Sequence, residues 1–114
     1  MATDCLFCKI IDGQIPATVV YRDERVLAIR DIKPVAPTHV LLMPIRHINS
    51  IAEAEAGDSD LIGALHLAAI NVAAQEGLTG GYRLVINVGR DGGQTVGHLH
   101  LHLLGGRAMH WPPG

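Results

Sequence analysis

Basic residues are not in excess in this chain: nine Lys and Arg stand against eleven Asp and Glu, a formal charge of -2 with histidine neutral. Without a broad basic field, nucleic acid held through its phosphates is excluded as a partner, and a small anionic ligand needs local donors. Long apolar runs are missing too. The greasiest stretch, Leu61 to Ala74, contains His66 and Asn71 and is too short for a bilayer core of about 30 Å, so no membrane partner is expected. Met1-Ala2-Thr3-Asp4 has no basic region leading into an apolar run, which reads as a chain that stays in the cytoplasm. Cysteine is scarce. The two present, Cys5 and Cys8, form C-x-x-C, and in a reducing compartment such a pair reads as a metal clip or a spare thiol pair rather than a structural disulfide. Internal repeats and low-complexity segments are also lacking.

What the chain does have is enough apolar material, 48% of 114 residues, for one core in one domain spanning residues 1–114. The surplus leaves surface for a second subunit, and a homodimer is expected. Leu6, Phe7 and Ile10 recur at helical spacing before Asp12-Gly13, which predicts one short helix. Val19–Tyr21 and Val26–Ile29, parted by the charged Arg22–Arg25, read as a hairpin. A proline-rich loop, 33–38, leads to a third strand over His39–Met43, ended by Pro44. Ser50 and Glu53 have the spacing of a capping box.

The main helix is predicted from an N-cap at Asp58 or Ser59, through Leu61, Leu65, Ala68, Ala69 and Val72, to a stop at Gly77. Ile62, Ile70 and Ala73 widen its apolar face, which suits either a second subunit or the chain's own sheet. Tyr82–Asn87 is a fourth strand, joined by the glycine-rich turn 89–95 to a fifth over residues 98–104; strands so closely linked are expected to be antiparallel neighbours. The composite is an α+β fold: a five-stranded, mostly antiparallel sheet with one long and one short helix, the helices on one side.

The fifth strand carries the chemistry. In His98-Leu99-His100-Leu101-His102-Leu103-Leu104, alternation would put three imidazoles on one face and three leucines on the core face. Such a row fits a catalytic metal, for which Asp91 is the only nearby acid, or a nucleophile or base at His100 flanked by His98 and His102. The adjacent glycine turn favours the second reading. Gly92 and Gly93 let backbone N–H groups approach a ligand, and Gln94 and Thr95 add side-chain donors suited to an oxyanion.

The H-x-H-x-H-x-x motif resembles the histidine triad family, and more narrowly its nucleotide-binding protein branch. The resemblance is also carried by Asp31-Ile32, Ala36-Pro37-Thr38-His39, Asn87, Gly92-Gly93-Gln94 and the stretch from Gly105-Gly106-Arg107 to Trp111-Pro112-Pro113-Gly114, and it runs from about Leu6 to Gly114. It implies a two-fold homodimer and a hydrolase that cleaves the P–N bond of purine nucleoside phosphoramidates such as AMP–amine conjugates. His100 would attack the phosphorus and form a nucleotidyl-histidine, with no cofactor required for the chemistry. His102, Asn87, Thr95, Gly93 and Gln94 would hold the phosphate oxygens, and His39 is either a fourth active-site histidine or a buried, merely satisfied one.

By the same resemblance Asp31 would accept from the ribose hydroxyls, and Ile32, Leu6, Phe7, Ile10 and Ile29 would wall the base. Arg30 and Thr95 stand where close animal relatives have His and Ser. In several bacterial-type members, the positions matching Cys5, Cys8, His47 and His98 hold a structural zinc, in which case His98 becomes scaffold. The tail, residues 105–114, is expected at the edge of the dimer and the active site. A nucleotide-binding regulatory protein with incidental hydrolysis and a dinucleoside polyphosphate hydrolase are the alternative functions.

Overall fold

The computed structural model describes residues 4–114; Met1–Thr3, on which the reading of a leader partly rests, lie outside the described residues. Helix α1 (Leu6–Ile11) is followed by strands β1 (Val19–Arg22), β2 (Val26–Arg30) and β3 (Thr38–Pro44). Two 3-10 turns (Ile51–Glu53 and Ala56–Asp58) lead into the long helix α2 (Ser59–Gln75). Strand β4 (Tyr82–Val85), the one-turn helix α3 (Gly89–Gly92) and strand β5 (Leu101–Gly105) complete the chain. All five strands form one antiparallel sheet in the order β1-β2-β3-β5-β4. The fold is thus α+β as expected, and β4 and β5 are antiparallel neighbours.

The helices lie on both faces of the sheet, not on one. Helix α2 packs Leu65, Ala68, Ala69 and Val72 against Val26, Ala28, Val40, Leu42, Leu99, Leu101 and Leu103. Helix α1 covers the opposite face, where Phe7, Cys8 and Ile11 meet Leu27, Ile29, Leu41 and Met43. The reason is in the strands: Val26–Ile29 and Val40–Met43 are unbroken apolar runs, greasy on both faces, and each face needs a cover. Burying a Leu or Val of this kind contributes roughly 1.5–3 kcal/mol, so the α2 layer dominates the core.

Helix α2 starts and stops near the expected places. Gly77, at φ 70, takes the left-handed turn that lets the Leu78 amide reach back to the Ala73 carbonyl. At the other end Asp58 does not cap with its side chain; its carboxylate accepts from the Glu55 amide and pairs with Arg46. Ser50 caps the first 3-10 turn through Ala52, and Glu53 does not reciprocate, so the capping box expected there is half made. Leu67 and Ile70 on the outer side of α2 are more than half exposed. Among the described residues, no helix is long and apolar enough to cross a membrane.

The histidine strand begins later than expected, at Leu101 rather than His98. Strand β3 pairs Thr38 with Gly105 through Leu42 with Leu101, and the ladder then meets Pro44, which has no N–H to give. The chain leaves the sheet there, and the Leu99 amide bonds to the Ile48 carbonyl at 2.6 Å instead. Alternation nonetheless persists across the break: Leu99, Leu101 and Leu103 are all buried under α2. For the same reason β4 ends at Val85, opposite His102, two residues before Asn87.

Candidate functional site: two histidine clusters and a pocket

The three histidines of the motif share the α1 side of the sheet, with the His100 and His102 ring centroids 5.0 Å apart, but each has a different partner. Phe7 packs edge-on against both His98 and His100, with ring centroids 5.9 and 5.0 Å away. His98 turns to the cysteines, His100 to the pocket, and His102 to His39. A single metal on all three imidazoles is therefore not what the fold assembles, and Asp91, in the turn, is fully exposed and paired with Arg90.

The first cluster joins α1 to the segments after β3 and before β5. Cys5 is the N-cap of α1, its sulfur accepting from the Cys8 amide at 3.3 Å. Cys5 Sγ lies 3.3 Å from His98 Nδ1, Cys8 Sγ 3.3 Å from His47 Nδ1, and the two Nδ1 atoms are 3.0 Å apart. The far nitrogens fix the tautomers. His98 Nε2 donates to the Pro44 carbonyl at 2.8 Å, and His47 Nε2 donates to Asn49 Oδ1 at 2.6 Å. Both Nδ1 atoms therefore carry lone pairs, aimed at each other and at two sulfurs.

That donor set fits zinc. Bond lengths of about 2.0–2.1 Å to nitrogen and 2.3 Å to sulfur give tetrahedral edges of roughly 3.3–3.8 Å, close to the spacing found. Carbonyl acceptors on the remote nitrogens are what a ligating histidine requires. With no cation, burial and the neighbouring Cys5 push the Cys8 thiol up to about 11. Loading a metal would release the Cys8 proton.

The second cluster is built on the opposite hydrogen-bond logic. His39, buried on β3, accepts from the Val35 amide at Nδ1 (3.1 Å), so its proton sits on Nε2. That Nε2 faces His102 Nδ1 at 3.0 Å and Asp31 Oδ2 at 3.4 Å. Burial holds His39 below its ordinary value, with Asp31 opposing. His102 is pushed down to about 4, chiefly by burial, then by His100 and His39. Neutral at pH 7 and accepting at Nδ1, His102 keeps its own proton on Nε2.

His100 completes the arrangement. Its Nδ1 donates to the His98 carbonyl at 2.8 Å, which leaves Nε2 with a free lone pair. The ring lines a cavity of about 260 Å³ together with His102, Asp31, Ile32, Leu6, Phe7, Ile10, Ile29 and Thr95. With Arg30, which also lines it, ten of the residues singled out from sequence meet there. Ile32 and Leu6 stand open on its rim, while Phe7 and Ile29 form its buried floor. A one-sided apolar hollow with a carboxylate and two imidazoles suits a ligand with a flat apolar part, vicinal hydroxyls and an anionic group.

Other expected contacts fall outside the pocket lining. Asn87 lies just past β4, and Gly93 ends α3 in a left-handed turn at φ 83. Gln94 donates to the Asn49 and Val96 carbonyls and accepts from the Gly89 amide, which pins the glycine loop to the turn after β3. Ile15, Pro16, Ala17, Leu41 and Val96 also line the cavity without having been singled out. Nor was Asn49, the residue that orients His47; a lone Asn two positions from a histidine gives no periodic signal. Arg30 makes a bidentate pair with Glu76 at 2.7 and 3.0 Å, tying β2 to the end of α2.

A family model described as HIT domain matches residues 12–109. The chain belongs to the HIT domain family. This HIT domain is 54% identical over 114 residues to an uncharacterized HIT-like protein of Synechococcus elongatus, covering 100% of both. It is 54% identical over 111 residues to a 14 kDa zinc-binding protein of Zea mays, covering 96% of this chain and 87% of that one. The crystal structure of a HIT family hydrolase from Legionella pneumophila aligns with a TM-score of 0.96 at 55% identity, over 97% of this chain and 100% of the other.

Proposed function

We propose that this HIT domain is a hydrolase that cleaves the P–N bond of purine nucleoside 5'-phosphoramidates. The observation that carries the reading is the tautomer of His100: with Nδ1–H held by the His98 carbonyl, the Nε2 lone pair is free in a pocket that also holds Asp31. In this reading Nε2 attacks the phosphorus, the P–N bond breaks, and the amine leaves with a proton drawn from solvent. Water then hydrolyses the nucleotidyl-histidine, returning His100 and the nucleoside monophosphate. His102, presenting Nε2–H, binds a non-bridging oxygen, and Thr95 adds a hydroxyl. Asp31 accepts from the ribose, and the apolar wall takes the base. The Legionella hydrolase supports the reaction class.

A structural zinc on Cys5, Cys8, His47 and His98 belongs to the same proposal, supported by the donor geometry and by the maize zinc-binding relative. Bound, it would supply a closed clip holding α1 against the strand ends, and no step of the hydrolysis passes through it. The exposed Leu67 and Ile70 of α2 support a homodimer.

The test is turnover of an adenosine 5'-phosphoramidate by the wild type and by His100→Ala, with intact-mass detection of the adduct after rapid quench. Turnover by the wild type alone, with a transient nucleotidylated His100, is the expected result. Binding of AMP without turnover in either protein would replace the enzyme with a nucleotide-binding module. Equal turnover in both would assign the attack to another group.

A further inference from the structure

Arg107, an exposed residue just after β5, is tied into the Asp31–His39–His102 cluster from outside. Its guanidinium donates to the Val35 carbonyl at 3.0 Å, and also to Ala108 O and Met109 Sδ. Val35, one residue of the proline-bearing loop between β2 and β3, thus accepts at its carbonyl from Arg107 and donates at its amide to His39 Nδ1. Gly106 seats the same loop: at φ 88 it approaches so closely that a Cβ there would lie 2.8 Å from Pro37 Cβ. Arg107 and Gly106 therefore hold the loop at two points.

The Val35 amide decides where two protons sit. A donor facing Nδ1 forces the proton of neutral His39 onto Nε2, and that proton lies on the His102 side. His102 must then accept at Nδ1 and carry its own proton on Nε2, the nitrogen left for a ligand. Were Val35 to move off by an ångström, the 3.1 Å bond would be lost and His39 would populate both tautomers. In the Nδ1–H form its Nε2 is an acceptor facing an acceptor, and His102 relieves the clash by moving its proton inward. It would then offer a ligand oxygen a lone pair instead of a donor.

We infer that Arg107 and the Val35 backbone are positioning groups that set the His39 tautomer and so oblige His102 to present a hydrogen-bond donor to the bound ligand. The inference rests on the proposed role of His102 for its catalytic consequence, though not for its tautomeric one. The experiment uses the intact chain, uniformly labelled at histidine nitrogen. Long-range proton–nitrogen correlation at neutral pH, without ligand, reads the tautomers of wild type, Arg107→Ala and Arg107→Lys, and turnover of an adenosine phosphoramidate is measured alongside.

The wild type should show His39 and His102 each as a pure Nε2–H form. Arg107→Ala should show mixed forms and a fall in kcat of about tenfold with KM little changed, since the interaction lost is one made to the developing charge. Arg107→Lys should restore the pure forms in part. Unchanged tautomers in Arg107→Ala, or a wild-type His39 protonated on Nδ1, would overturn the inference. Shifted tautomers in a protein whose wild type turns nothing over would uphold it and refute the hydrolase reading.

Discussion

Two histidine pairs in this molecule hold facing nitrogens 3.0 Å apart, His47 with His98 and His39 with His102. The spacing is the same and the chemistry is opposite. In the first pair both remote nitrogens donate to oxygen acceptors, so two lone pairs converge beside two thiols and a cation is what reconciles them. In the second, one remote nitrogen accepts from a backbone amide, so a proton already lies between the rings. Ring positions alone would not separate a metal site from a proton relay. The polarity of the partner behind each ring does.

The contrast predicts that the two clusters fail independently. Removing a ligand from the first has the largest effect: Cys8→Ala should lower the zinc content of the purified chain from one per chain towards zero. It should also cost about 3 kcal/mol or more of stability, measured by metal analysis and by denaturant unfolding. In the second cluster, His102→Ala should leave zinc content as it was and lower kcat/KM for a phosphoramidate by about a hundredfold. Loss of zinc from His102→Ala would dissolve the distinction between the clusters. A smaller effect is expected behind the ligand shell, where Asn49→Ala removes the acceptor that fixes His47. Zinc affinity in a competition titration should weaken about tenfold, with turnover of the loaded protein unchanged.

A separate effect is on pH dependence. His102 carries a proton in the unfolded chain below its ordinary 6.5, yet in the fold only below about 4. The unfolded state therefore binds more protons throughout that window, and stability falls as pH drops from 6.5 towards 4. Denaturant midpoints at pH 7 and pH 4.5 should differ more in the wild type than in His102→Gln. Both proteins keep the cysteine cluster, so its own acid sensitivity cancels. Equal differences would place the acid sensitivity elsewhere.

Much of the fold could be read from residue pattern. The apolar runs, the Gly77 stop and the short β4–β5 link all announced elements that are present, and the pocket gathers Leu6, Phe7, Ile10, Ile29, Asp31, Ile32, Thr95, His100 and His102. What escaped was chiefly what depends on backbone atoms. The Val35 amide and the Pro44 and His98 carbonyls decide the tautomers of His39, His98 and His100, and no side-chain pattern encodes where a peptide group points. Alternation placed Leu99, Leu101 and Leu103 on the α2 side and the histidines on the other, as found. Pro44 on the neighbouring strand ended the ladder at Leu101, which sequence spacing within 98–104 could not register.

Strand β3 is hydrogen-bonded on both edges and buried at every position from Thr38 to Pro44. Amide protons there are expected to exchange chiefly when the whole domain opens, whereas exposed ends and loops exchange through local fraying. His39 sits on this strand, and the Pro44 carbonyl that anchors His98 ends it. Both clusters are thus each fastened at one point to a strand held on both edges, so local fraying reaches them through their other attachments, such as the Val35 loop, and not through this strand.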